Sequence, residues 1–166
     1  MSSTSPASDQ PSPTVQAMCA EDTGGPRATA VVHEPDAIVR TGHCQCGDIA
    51  YRVTGAPDDP HLCSCEHETR ISGGPAVLWV GFRKKSLTWT GPGGEPTWYA
   101  TWPTLRRGFC PRCGTQLVSV ADDSDMIMVT GFSLTDRRGI EPVGHSYRGD
   151  AVPWMSIALA PDPPRS

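Results

Sequence analysis

Cys44-Gln45-Cys46-Gly47 and Cys110-Pro111-Arg112-Cys113-Gly114 decide the reading of this chain. Each stretch sets two cysteines one or two residues apart and follows the second with glycine. That spacing puts both sulfurs on one tight turn, and glycine lets the turn take positive φ without a Cβ clash. Backbone N–H groups can then point at the sulfurs and disperse their charge. Four thiolates are the donor set of a closed, tetrahedral structural zinc site. We read Cys44, Cys46, Cys110 and Cys113 as the ligands of one such zinc. The two pairs are separated by 63 residues, so the metal would clip distant parts of the chain together.

Other cysteine chemistry fits less well. A disulfide within Cys-x-Cys is strained, and the N-terminus lacks the basic segment and apolar run of an export signal. A redox dithiol at Cys110-x-x-Cys113 expects a βαβ setting, and no helical crossover pattern surrounds it. Six of the seven cysteines fall in close pairs, unlike isolated core cysteines. Cys19 stands alone and receives no role. A third group, Cys63-Ser64-Cys65-Glu66-His67-Glu68, lies between the two knuckles and lacks their glycine. It is not another copy of the same turn, and that difference separates a structural metal from a working one.

Moving outward, the chain has 166 residues, enough for one domain with a modest core. Its net charge is −4 and its pI about 5.7, with no basic patch to suggest nucleic acid. No apolar run approaches the ~20 residues of a membrane span. A cytoplasmic, reducing location is expected, and there seven cysteines favour metal over disulfides. Residues 1–36 read as a disordered N-terminal tail: the first 26 hold five serines, four prolines and three charged side chains, with little to bury. A zinc-binding domain is expected over 37–159 and a flexible C-terminal tail over 160–166.

Between the tails the pattern is short strands and turns. Strands are expected over Ile49–Val53, Thr97–Trp102, Thr115–Val120 and Met126–Thr130, with Asp122–Asp125 as the turn between the last two. Ala76–Phe82 and Ser86–Thr90 read as a hairpin across Arg83-Lys84-Lys85. Ala151–Ala158 is expected to add a last edge segment. No convincing amphipathic helix is found. The fold class is therefore mainly β, with small antiparallel sheets stabilised by zinc and few or no helices. The five tryptophans read chiefly as packing. His43 and His61, beside or near cysteines, read as hydrogen-bonded structure rather than ligands.

The order of motifs resembles a known family. Gly42-His43-Cys44-Gln45-Cys46-Gly47 comes first, then Cys63-Ser64-Cys65 with Arg70 and Ser72-Gly73 behind it. Phe109-Cys110-Pro111-Arg112-Cys113-Gly114-Thr115 follows, then Gly131-Phe132-Ser133-Leu134 and Pro153-Trp154. This series is similar to the glutathione-dependent formaldehyde-activating family, which also includes centromere protein V. The resemblance spans roughly residues 38–158 and implies a β-tent fold with two zinc sites. It carries the structural zinc to Cys44, Cys46, Cys110 and Cys113. It implies a catalytic zinc on a Cys-x-Cys-x-x-Cys motif, whose first two positions are Cys63 and Cys65 here. The third is Glu68, a carboxylate that keeps the ligand charge but donates through harder oxygen. His67 is the alternative third donor. The implied activity is that of a carbon–sulfur lyase or S-(hydroxymethyl)thiol synthase, joining formaldehyde to a small thiol such as glutathione. A non-catalytic, zinc-stabilised binding module is the alternative that Glu68 favours. Arg70 is a candidate partner for a substrate carboxylate, or a solvated surface arginine.

Overall fold

The computed structural model describes residues 38–156 and 159. The tails expected at 1–36 and 160–166, Cys19, and the end of the Ala151–Ala158 segment lie outside the described residues.

The chain is mainly β, with ten strands and one α-helix among the described residues. In order they are β1 (Val39–His43), β2 (Ala50–Thr54), β3 (Asp58–Cys63), α1 (Glu66–Ser72), β4 (Val77–Arg83) and β5 (Leu87–Trp89). Then come β6 (Thr97–Trp102), β7 (Leu105–Phe109), β8 (Gln116–Ala121), β9 (Met126–Thr130) and β10 (Gly144–Ser146). They form a three-stranded sheet, β1-β2-β5, and a seven-stranded sheet, β10-β3-β4-β9-β8-β7-β6. All pairs are antiparallel except β10 with β3, which is parallel.

Side-chain alternation explains β2, where Tyr51 and Val53 are buried and Arg52 is exposed. Central β4 is buried from Val77 to Phe82, as a strand covered on both faces must be. The Asp122–Asp125 turn joins β8 to β9 as expected, with Ser119 opposite Met128.

The hairpin expected from Ala76–Phe82 and Ser86–Thr90 does not form. β4 lies in the large sheet, whereas β5 crosses to the small one and pairs with β2, Tyr51 opposite Trp89. A single 3₁₀ turn, Lys84–Ser86, redirects the chain. Lys84 ties this turn to the β8–β9 connection, its N–H donating to the Asp125 carbonyl (2.8 Å) and its Nζ to the Ala121 carbonyl (2.6 Å). The Tyr51 and Trp89 rings meet edge to face, with centroids 6.0 Å apart, and this contact draws β5 to β2.

The sequence pattern also hides several elements. β3 contains Pro60 and two aspartates, which read against a strand. Its register with β4 shifts between Asp58 and His61, so Pro60 sits in the irregular stretch where its missing N–H is tolerated. α1 is only two turns long and buries one residue, Glu68, so it shows no helical stripe. It ends at Gly73 (φ 69°), whose N–H returns to the Thr69 carbonyl. No strand occurs between Ala151 and Ser156.

Two apolar clusters result. The main core joins Tyr51 and Val53 of β2 to Leu78, Val80 and Phe82 of β4 and to Leu117, Val118 and Val129 of β8 and β9. Cys44 and Cys110 belong to it. A smaller cluster holds Cys63, Cys65, Val77 and Trp79, with Met128 and Tyr147 against it. No helix among the described residues is long and apolar enough to cross a membrane.

Candidate metal centre and second cysteine pair

Both knuckles are turns between paired strands. Cys44–Gly47 follows β1 and Cys110–Gly114 follows β7. Each closes through its backbone: Cys44 N–H donates to the Ile49 carbonyl and Cys110 N–H to the Thr115 carbonyl, both at 2.9 Å. Gly47 (φ 77°) and Gly114 (φ 74°) adopt the left-handed conformation that the following-glycine pattern anticipates. The turns come from different sheets, yet their sulfurs converge. Cys44 and Cys46 Sγ are 3.5 Å apart, Cys46 and Cys110 Sγ 3.8 Å, and all four lie within 4.8 Å of one another. Among the described residues this is the group of three or more donors that could hold a metal ion.

Protons and charge are shared unevenly among these thiols. Burial opposes ionisation of Cys44, but the Ile49 N–H and the Cys46 and Cys110 thiols prevail and lower it. The Thr115 hydroxyl and N–H bring Cys113 down to about 5. The Asp48 N–H favours the Cys46 thiolate, but burial and the neighbouring sulfurs outweigh it and push Cys46 up to about 12. The four groups thus resist ionising together without a cation beside them, and the donor set fits zinc: four sulfurs, two buried and two exposed, on N–H-lined turns. Arg112 links the knuckles by an ion pair to Asp48 (3.0 Å), and Gln45 N–H donates to Thr115 Oγ1 (3.1 Å).

The second pair stands apart in the smaller cluster. Cys63 ends β3 and Cys65 immediately precedes α1, each 7% exposed. The neighbouring Cys63 thiol is the largest cause of bringing Cys65 down to about 7. Burial and the Glu68 charge oppose that shift, while the backbone N–H groups of Glu68 and His67 assist it. The Cys65 thiol, together with burial, raises Cys63.

Glu68 has partners of its own. It is 3% exposed, and its Oε1 accepts from Nε (3.2 Å) and Nη2 of Arg107, itself 4% exposed. Its Oε2 accepts from Gln116 Nε2 at 3.3 Å. Arg107 also donates to Thr101 Oγ1 (2.6 Å) and lies over the Trp102 ring, 5.3 Å from its centroid. Because the carboxylate demands a donor, Gln116 must turn its NH₂ towards it. That leaves Gln116 Oε1 buried without a protein partner. Gln116 lines both a cavity of about 660 Å³ and one of about 300 Å³, together with Ile71 and Gly114.

The remaining sequence candidates lie elsewhere. The His67 ring packs edge-on against Trp102, with centroids 4.6 Å apart. Arg70 pairs with Glu66 on the exposed face of α1. His61 pairs with Asp59 (3.0 Å), and His43 Nδ1 bonds the Cys44 carbonyl (2.8 Å). Arg107, Gln116, His145 and Tyr147 were not singled out in the sequence. Arg107 left one trace: it shares an inward-facing register of β7 with Leu105 and Phe109, and a buried arginine needs a carboxylate.

Comparison with known proteins agrees with this architecture. No curated protein matches the chain. A crystal structure of a Rhodobacter sphaeroides protein, a structural genomics target, superposes with a TM-score of 0.52 at 19% identity. The match covers 64% of this chain and 99% of that one, a likeness of fold. The family model described as glutathione-dependent formaldehyde-activating enzyme matches residues 39–150, which include both knuckles and the Cys63–Cys65 pair. The chain belongs to the glutathione-dependent formaldehyde-activating enzyme family.

Proposed function

We propose that this chain is a zinc-dependent carbon–sulfur lyase, working as an S-(hydroxymethyl)thiol synthase that joins formaldehyde to a small thiol such as glutathione. The observation that carries the reading is the Cys63–Cys65 pair. The two cysteines, with one residue between them, sit in their own apolar cluster away from the structural quartet. Glu68 would complete the donor set by turning from Arg107, since the three residues do not converge in the structure as the quartet does. The Oε1 of Glu68 is held by Arg107, while Oε2 has one partner at 3.3 Å. Ligating carboxylates are commonly oriented by such outer partners, and three anionic donors suit an open zinc site. Zinc held there would keep a thiol deprotonated near neutral pH and polarise an aldehyde.

The chain's own residues supply the rest. Val77 and Trp79 wall the pair against water, since each is nearly buried. Gln116 Oε1 offers an acceptor to a donor group of the small molecule. Holding thiol and aldehyde together replaces an encounter in solution by a positioned one. The thiol sulfur adds to the carbonyl carbon and a C–S bond forms. The carbonyl π pair moves to oxygen, which takes the proton the thiol has lost. The reverse reaction breaks that bond and releases the aldehyde.

One observation favours a second reading, a zinc-stabilised binding module. Arg107 already neutralises Glu68, so the fold does not require a cation beside it. Zinc per chain, measured on wild type and Glu68→Ala, separates the two. Two zinc ions falling to one supports the lyase. One in both proteins, even with excess zinc, overturns it in favour of the module.

A further inference from the structure

Ser64, between the paired cysteines, is 2% exposed, and its polar contacts tie it to two other segments, β10 and the turn before β4. Its N–H donates to the Ser146 carbonyl (3.1 Å) and its Oγ to the Pro75 carbonyl (2.9 Å). The same Oγ lies 2.8 Å from His145 Nε2. A hydroxyl carries one proton. Because that proton goes to Pro75, His145 is the donor and holds its hydrogen on Nε2.

β10 delivers this histidine. It runs parallel to β3 at the sheet edge, with His145 opposite Leu62 and Ser146 opposite Cys63. The next residue, Tyr147, adopts φ 55° and ψ 40°, a left-handed conformation uncommon for a side chain of this size. It packs against the Cys63, Cys65, Val77 and Trp79 cluster. The chain then turns back as Asp150 N–H donates to the Tyr147 carbonyl (3.0 Å). An edge strand that merely completed a sheet would make its ladder along β3 and nothing more. Here the ladder along His61–Cys63 is joined by two contacts beyond the paired residues, both on Ser64: its N–H to the Ser146 carbonyl and its Oγ to His145.

The geometry points to His145 as a positioning residue that acts through Ser64 to hold Cys63 and Cys65 as a preformed dithiol, able to engage one soft ion or electrophile with both sulfurs. The inference concerns the thiols alone, so it stands whether or not the pair carries zinc and whether or not the lyase reading holds.

Phenylarsine oxide tests it, because its capture needs two neighbouring thiols. Two As–S bonds form, the arsenic oxygen leaves as water with both thiol protons, and arsenic stays trivalent. The full chain is first chelated mildly, until one zinc per chain remains. Affinity and melting temperature are then measured for wild type, Cys65→Ser, His145→Ala and His145→Gln. Capture by the pair is the part that Cys65→Ser abolishes. His145→Ala should weaken it about tenfold, the scale of losing an outer-shell partner, with the melting temperature unchanged. His145→Gln, whose amide can donate to Ser64 Oγ, should restore most of it. Wild-type affinity in His145→Ala overturns the proposal, as does equal weakening in both variants with a lowered melting temperature. Capture that survives Cys65→Ser undiminished overturns it as well.

Discussion

Cys110 is fully buried in the main core, and its sulfur lies 3.8 Å from that of Cys46 on the other knuckle. Serine in its place would offer zinc a poor donor and leave a hydroxyl in apolar surroundings. Structural zinc binding is worth about 10–16 kcal/mol in small zinc domains, against a folding stability of roughly 5–15 kcal/mol for a whole domain. Cys110→Ser should therefore lose its zinc and be unfolded or severely destabilised. Metal content and a thermal melt check this, and a zinc-free variant melting like wild type would refute the assignment. These cysteines were legible because ligand spacing is local: two sulfurs and a glycine describe a turn without reference to the remaining chain. Arg107 was not, because its carboxylate partner is 39 residues away and its identity depends on how α1 packs. The role of Glu68 was likewise open in the sequence, where nothing indicates that Arg107 and Gln116 close around it.

Strands with clear alternation or apolar runs, such as β2, β4, β8 and β9, could be read directly. β3 could not, and its irregular stretch sets up a pH-dependent contact. Burial lowers the pKa of His61, but hydrogen bonds and charge from Asp59 prevail and raise it above the ordinary 6.5. A raised folded value means that protonation favours the fold. The contribution is full below the ordinary value and fades as pH rises through the raised one. In Asp59→Asn the His61 titration, followed by NMR, should move down to or below 6.5. Stability should fall at about pH 5.5 and hold at about pH 8.5, on either side of the histidine range. A loss equal at both values would show that Asp59 acts through its positive-φ turn instead. The crossing of β5 to the small sheet was invisible for a related reason. A local reversal at Arg83-Lys84-Lys85 and a 3₁₀ redirection use the same residue types, and only the distant Asp125 and Ala121 carbonyls decide between them.

At the scale of the molecule, mainly β composition was readable but sheet membership was not, since it is set by strand pairings far apart in sequence. The quartet joins a turn of the small sheet to a turn of the large one, so a single ion spans the two. The large sheet has β6 at its end, with no further strand beyond it among the described residues. That strand reads Thr97-Trp98-Tyr99-Ala100-Thr101-Trp102: aromatic or β-branched at five of six positions, with neither charge nor proline. Tyr99 is 58% exposed. An edge of this composition offers unpaired backbone groups to another chain and matches the signature of segments that stack into aggregates. Ala100 is exposed on it, and a lysine there would act as a gatekeeper. Ala100→Lys should delay the onset of aggregation on heating, read by light scattering, while changing stability by no more than about 0.5 kcal/mol. An unchanged onset would mean that the edge is guarded by other means. A delayed onset would place control of the colloidal behaviour of this chain at β6, a strand with no ligand to the quartet.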